Sequence, residues 1–285
     1  MKEAATPQGG TQTGWTRPAA FILAIIFLIG SNALALDPMG PPVADLENGQ
    51  FKVGVDFSHS EMDLELEEGT WVEFLDGAFS DEGYATSFTL KDLKTNRTYV
   101  NLGYGVADIC EVFLRVGGAK AKFGDSIWED EESFDSSSGL AVGGGIKATF
   151  FDEGDLKLGG LFQVHWSEYS GLLDAAHWAA PDHVEVDLAE IQIALGAQYA
   201  LSDRASIYAG PFLHFAGGDL DDIYSEADGG GGQLTSHYSW NIKEDSIVGM
   251  FAGVQLEITE NCSFNVELQG TGSAQAVGAS VAWKF

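Results

Sequence analysis

The 285-residue sequence predicts an all-β fold, a transmembrane antiparallel up-and-down β-barrel of about ten strands. Two observations predict this fold. Runs of roughly 9–11 residues, the length that a tilted strand needs to cross a bilayer, alternate apolar and polar side chains. The connections between these runs alternate between short and long, as they do in barrels with short periplasmic turns and long extracellular loops.

Each run shows the alternation in its own residues. In the first run Phe51, Val53, Val55 and Phe57 share one face, and the residues between them share the other. Such alternation is typical of a strand with one apolar and one polar face. Because a membrane sheet must close, we expect the last run to pair with the first. The ten runs lie near 51–58, 98–105, 111–117, 140–150, 156–166, 190–199, 206–215, 248–256, 264–269 and 277–285.

The connections fall into two classes. Short ones lie at 107–110, 151–155, 201–204 and 259–262. Long ones lie at about 59–96, 120–138, 167–185 and 217–240, with a brief fifth near 271–274. The first long loop has room for a small fold of its own, and we expect Phe74, Phe79 and Tyr84 to pack it as a cap.

The first 35 residues resemble a secretory signal peptide. The apolar run from Ala19 to Gly30 is too short for a membrane helix, which needs about 20 residues. Lys2 and Arg17 precede it and Ala33-Leu34-Ala35 follows it, which predicts cleavage after Ala35. The alternative is a short N-terminal membrane anchor. Residues 36–49 hold three of the seven prolines and predict an extended periplasmic lead-in, and residues 50–285 form the barrel.

The polar faces of the runs predict a charge network inside the lumen. Four cations, Lys52, Arg115, Lys147 and Lys157, match four anions, Asp56, Glu111, Glu190 and Glu267. Because buried charges cost several kcal/mol unless paired, we expect crossed salt bridges. The lumen of a ten-stranded barrel is narrow enough for side chains to fill it. The sequence therefore predicts a largely plugged lumen with little conductance.

The charge balance excludes some functions. The chain has 43 acidic and 14 basic residues and a formal charge of -29, so binding to nucleic acid is excluded. The excess acids lie in the long connections, where we expect solvated, mutually repelling loops. The alternative is that the acidic loops bind divalent cations that bridge to anionic lipid head groups. No stretch fits the twelve-residue calcium loop, and we expect no cofactor or resident metal.

The C-terminal residues carry the most specific motif. Gly278, Val281, Trp283 and Phe285 resemble the insertion signal of bacterial outer-membrane proteins, and residues 50–285 resemble the small barrels of the OmpA/OmpX type. The resemblance implies a place in the outer membrane of a Gram-negative envelope. It also implies contact with outer-membrane lipid and lipopolysaccharide, and delivery by periplasmic chaperones and the barrel-assembly machinery.

Catalytic groupings are sparse. His165 and Ser167 lie on one face, as a base and nucleophile do, and are similar to the His-x-Ser of lipid A deacylases. Asp182-His183 is similar to the Asp/His pairing of omptin proteases. The alternative interpretation makes these residues, and His214, lumen or loop side chains. Cys110 and Cys262 lie at turns on opposite sides of the barrel, so we expect free thiols.

Three functions are compatible with these features. The leading hypothesis is a non-enzymatic barrel with an envelope-structural or surface-interaction role, for which no catalytic residue is assigned. The second is a narrow porin for small polar solutes, and the third is a barrel hydrolase that acts on envelope lipid or peptide.

Overall fold

The computed structural model describes residues 36–124, 133–174, 182–227, 230–244 and 246–285. These residues form strands and turns, and no helix among them is long and apolar enough to cross a membrane. The predicted signal peptide, with its cleavage site at Ala35, lies outside the described residues, as do Asp125 and Glu129–Glu132 of the second predicted loop. The strands are β1 (Phe51–Leu75), β2 (Ala78–Tyr84), β3 (Phe88–Ala107), β4 (Cys110–Gly124), β5 (Ser133–Ser136), β6 (Gly139–Glu153), β7 (Leu156–Asp174), β8 (Asp182–Ser202), β9 (Ala205–Ala227), β10 (Gln233–Glu244), β11 (Val248–Thr259), β12 (Cys262–Gly270) and β13 (Ala274–Lys284).

Ten strands close one half of the barrel, which we call the lower section. The ring runs β1–β3–β4–β6–β7–β8–β9–β11–β12–β13, and β13 pairs with β1 from Lys52↔Lys284 to Met62↔Ala274. The predicted ten-strand barrel and the pairing of the last strand with the first are therefore confirmed. Four tight turns lie at one end, at 108–109, 154–155, 203–204 and 260–261. At the same end Phe51 and Phe285 exchange two backbone hydrogen bonds.

Eight strands close the other half, the upper section. Here β5 takes the place of β6 between β4 and β7, and β10 lies between β9 and β1 where β11, β12 and β13 have ended. The 25 residues of β1 far exceed the length needed to cross a bilayer, so the upper section extends beyond it. Much of the predicted first and fourth loops, 59–96 and 217–240, is therefore strand.

The predicted cap over the first loop is wrong. β1 and β2 form a hairpin through Asp76 and Gly77, which both have positive φ angles as a two-residue hairpin turn requires. Phe79 and Tyr84 are 61% and 91% exposed on β2, and the Phe74 ring contacts His237 on β10. Phe74 and Phe79 are cross-strand partners near the turn, but Tyr84 lies at the far end of β2 opposite Thr70, so the three aromatic side chains form no common cap.

The two sections have opposite polarity. On lower β1 the outward residues Phe51, Val53 and Phe57 are exposed, and the inward residue Asp56 is buried. On upper β1 the alternation is reversed: Met62, Leu64 and Leu66 point inward and are buried, and acids point outward. β8 changes in the same way, with Ile191, Ile193 and Leu195 outward below and Glu185 and Asp187 outward above. The lower section thus has the surface of a lipid-facing barrel and the upper section that of a barrel in water.

Candidate functional site: the lumen and its N-terminal segment

The lumen of the lower section holds the chain's own N-terminal segment, Leu36–Gln50, which we call the plug segment. Leu36, Met39, Val43 and Leu46 are at most 2% exposed. This corrects the expected extended periplasmic lead-in at 36–49. Pro38, Pro41 and Pro42 have no N–H group to satisfy, so this stretch can lie inside a barrel without joining its sheet.

Lumen side chains hydrogen-bond to the backbone of the plug segment. Met39 N donates to Glu267 Oε1 at 2.8 Å, Ala44 N to Thr149 Oγ1 at 3.0 Å, and Asp45 N to Glu111 Oε2 at 2.8 Å. Lys147 Nζ donates to Pro41 O at 2.9 Å. The barrel wall therefore supplies the partners that a strand ladder would otherwise provide.

Close packing adds to these bonds. Gly278 lies under Pro38, where an added Cβ would come within 2.5 Å of Pro38 Cγ, and Gly105 lies against the Glu47 carbonyl group. At the turn end, Lys284 Nζ bonds to Asp45 Oδ1 at 2.6 Å. The plug segment is thus held along its whole length.

Asp37 is the centre of the contacts. Its Oδ2 accepts hydrogen bonds from Arg97 Nη1 at 3.0 Å and Tyr99 Oη at 2.9 Å, and its Oδ1 accepts one from Ser58 Oγ at 2.9 Å. His165 Nδ1 lies 2.9 Å from Asp37 Oδ2. A charged carboxylate with cationic and hydroxyl partners is among the strongest arrangements that a protein interior offers.

A chain of charges continues from Asp37 across the lumen. Arg97 pairs with Glu190 as well as with Asp37. Glu190 Oε1 lies 3.2 Å from His214 Nε2, and His214 Nδ1 lies 2.7 Å from Glu244 Oε2. We call this chain of charges, together with the side chains that contact Asp37 and Arg97, the charge layer. It links the plug segment to β3, β8, β9 and β10. Above it, the interior of the upper section is lined by buried apolar side chains that include Leu64, Leu66 and Val186.

Seven of the eight residues predicted for the lumen network lie in the lumen. Lys52 pairs with Glu111 at 2.9 Å, and Arg115 with Asp56 at 2.8 Å. Lys147 and Glu267 bond to the plug segment, and Glu190 belongs to the charge layer. Lys157 differs, because it pairs with Asp152 at 2.9 Å beside the β6–β7 turn, where both side chains are largely exposed.

The residues of the predicted catalytic groupings lie in two places. Ser167 Oγ bonds to Arg97 and to Tyr169 Oη, and His165 contacts Asp37, so both belong to the buried lumen layer. His183 pairs with Glu185 at 3.0 Å on the exposed face of β8. The described residues contain no group of three His, Cys, Asp or Glu arranged to hold a metal ion.

The remaining predicted residues are placed as follows. Cys110 and Cys262 are free, as expected. Trp283 and Phe285 are exposed on the outer face of β13, Val281 shares that face, and Gly278 faces the lumen. Their role as an insertion signal stays a prediction.

Five members of the layer were not predicted from the sequence: Asp37, Arg97, Tyr99, Tyr169 and Glu244. Asp37 lies in a proline-rich stretch without alternation, and Glu244 follows a predicted loop. Arg97 was detectable, because it precedes the second run in phase with its polar face, together with Tyr99 and Asn101.

No family model and no curated protein matches the sequence. Solved structures similar in fold include the outer-membrane protease OmpT from Escherichia coli, with 10% identity over 82% of this chain and 97% of that chain and a TM-score of 0.42. The translocator domain of the autotransporter NalP from Neisseria meningitidis has 11% identity over 94% and 95%, with a TM-score of 0.41. OprG from Pseudomonas aeruginosa has 11% identity over 84% and 97%, with a TM-score of 0.39. With its closed all-strand ring and outward apolar face, the part of the chain that the structure describes is an antiparallel up-and-down β-barrel of the kind that spans membranes.

Proposed function

We propose that the chain is an outer-membrane barrel whose lumen is kept closed by its own N-terminal segment, and that it serves envelope structure or surface interaction. The observation that carries this proposal is the burial of most of the stretch 36–46 inside the lower section, where Glu111, Lys147, Glu267 and Arg97 hold it. A solute crossing the lumen would have to displace these contacts, and it would then meet the buried apolar side chains of the upper section.

The location rests on the surface of the lower section. Its outward side chains include Val100, Leu102, Leu114, Leu195 and Phe215, all of them exposed. An exposed apolar belt of this size is stable in lipid and aggregates in water. We further propose export with cleavage after Ala35, which would leave the plug segment intact at the mature N-terminus. The intact mass of the purified mature chain tests this, and a mass that includes residues 1–35 would overturn it.

Conductance in planar bilayers tests the closed lumen. We expect the unmodified protein to show no large, stable openings. A variant in which residues 37–46 are replaced by Gly and Ser, at unchanged length, loses the lumen contacts and is expected to open. The matched control is Asp81→Asn with Glu82→Gln, two charge changes on the exposed strand β2. Stable openings of the unmodified barrel would support the narrow porin in place of this proposal.

The proposal includes a non-enzymatic role. Its support is that His165 and Ser167 are at most 4% exposed and are engaged by Asp37, Arg97 and Tyr169. Cells that overproduce the protein should therefore contain unmodified lipid A, and His165→Ala should change nothing in their lipid profile. A lipid A change that depends on His165 would establish the hydrolase instead.

A further inference from the structure

Strands β1, β3 and β10 carry an aromatic patch on the face that continues the inner wall of the upper section. The patch consists of Trp71, Tyr238, Trp240 and Phe88. Trp71 and Tyr238 are direct cross-strand partners, and the Tyr238 and Trp240 rings stack at 5.7 Å and 10°. Phe88 meets Trp240 edge-on at 5.4 Å. The Trp71 ring covers Gly83, because a Cβ at Gly83 would lie 2.7 Å from it.

The patch is only partly covered. Trp240 is buried and its Nε1 donates to Thr86 O, which fixes the floor of the patch. Trp71 and Tyr238 are half-buried, and Leu75, four residues further along the same face of β1, is 40% exposed. The rings of Trp71 and Tyr238 therefore have an accessible face that a ligand can contact, while the buried Trp240 ring holds them in position.

Carboxylates surround these rings. Asp222 is the cross-strand partner of Tyr238, and Glu73 lies two residues from Trp71 on the same strand face. Asp81 is the partner of Glu73 on β2. The stretches 68–84 and 217–241 contain ten acidic residues and no Lys or Arg. The patch therefore lies in a negative electrostatic field, whereas in the lumen below it cationic and anionic side chains are paired.

Aromatic faces bordered by carboxylates favour cations, because the ring quadrupole and the negative field both attract them. We propose that this patch binds arginine side chains of a basic polypeptide outside the cell. The guanidinium group stacks on Trp71 and Tyr238 while Glu73 and Asp222 accept its hydrogen bonds. The proposal rests on the surface role proposed above and names its partner class.

The probe is a synthetic peptide of alternating Arg and Ser, and the receptor is the full mature barrel in lipid nanodiscs. Its matched control replaces every Arg by citrulline, which keeps the shape and loses the charge. We expect the Arg peptide to bind and quench tryptophan fluorescence, and the citrulline peptide to bind at least about tenfold more weakly.

Variants locate the site. Trp71→Leu and Tyr238→Leu should each weaken binding about fivefold, the scale of one partly desolvated cation–π contact. Glu73→Gln with Asp222→Asn should weaken it further and reduce its dependence on salt. Two controls should leave binding unchanged: Phe79→Leu, an exposed aromatic on β2, and Glu185→Gln with Asp187→Asn, which remove the same charge from the outward face of β8.

Three outcomes would overturn the proposal. The first is equal binding of the Arg and citrulline peptides. The second is a loss of binding in the Glu185/Asp187 control as large as the loss in the Glu73/Asp222 variant. The third is unchanged binding after either aromatic substitution, in barrels that still show the heat-dependent gel shift of a folded barrel. Since conductance is measured separately, failure of the peptide experiment leaves the closed-lumen proposal to stand or fall on its own result.

Discussion

Asp37 shows how one residue can decide the state of a lumen. It joins Arg97, Tyr99, Ser58 and His165 through its side chain, and its carbonyl oxygen accepts a hydrogen bond from Gln269 Nε2 at 2.7 Å. Each of these partners comes from the barrel wall and is itself buried. The contact set can form only when the plug segment is inside the barrel.

Asp37→Asn should therefore destabilise the protein strongly. The substitution keeps the size of the side chain but leaves Arg97 and His165 facing a neutral group, and breaking a buried pair in this way costs about 3–5 kcal/mol. We expect a lower urea midpoint of unfolding in detergent or lipid, together with intermittent openings in planar bilayers. Asp81→Asn on exposed β2 is the control. An unchanged midpoint would show that the plug segment is held by packing alone.

The lumen residues that could be predicted are those on alternating runs. Lys52, Asp56, Glu111 and Arg115 were assigned from the face they share with Gly and Ser, and the structure pairs them with one another. Asp37 could not be found in this way, because a segment that bonds through its backbone to side chains has no periodicity of its own. The prediction for Lys157 is wrong because Lys157 is the second residue of β7, next to the tight turn, where the inner face of the barrel is open to water.

At the scale of strands, the alternation changes phase where the environment changes. On β1 the sequence Glu61-Met62-Asp63-Leu64-Glu65-Leu66-Glu67 still alternates, but with the apolar residues on the other face. The sequence predicts a long loop there, and acids on a lipid-facing side are incompatible with a strand inside the membrane. The same residues form a regular strand once that side faces water. The reversal itself is thus the sequence signal for where the membrane belt ends.

This reversal can be tested on a single strand. Leu195 and Ala189 both point outward on β8, the first in the apolar belt and the second above it, beside Asp187. Leu195→Lys should destabilise the barrel by about 2–4 kcal/mol, the cost of a cation near the middle of the bilayer. Ala189→Lys should change stability by less than about 0.5 kcal/mol, as surface substitutions do. Folding titrations in lipid vesicles measure both, and equal effects would contradict the proposed boundary.

At the scale of the whole molecule, the cations are unevenly distributed. Lys52, Arg97, Arg115 and Lys147 are used inside the lumen. On upper β7, β8 and β9, which contain no Lys or Arg, acids on the outward face lie directly opposite one another, Glu168 with Asp187 and Asp187 with Asp219. Like charges in direct cross-strand positions destabilise a sheet. The formal charge of -29 is therefore concentrated outside the belt, where water and salt can screen it.

The acids on upper β7, β8 and β9 predict how stability depends on pH. Partial burial, together with Glu168 and Asp219, raises the pKa of Asp187 above its ordinary value. A carboxyl group with a raised pKa in the folded state stabilises the fold when protonated, and that stability is lost as the pH rises through the folded-state pKa. Asp187→Asn should therefore raise the melting temperature at neutral pH, and the gain should shrink as the pH falls and Asp187 itself becomes neutral. Added salt should also reduce the gain, because it screens the repulsion.

Glu153→Gln, exposed at the end of β6, is the control and should give no such pH-dependent gain. A gain that is equal at acidic and neutral pH would mean that Asn stabilises by packing, and that the repulsion between these strands contributes nothing to the stability of the barrel.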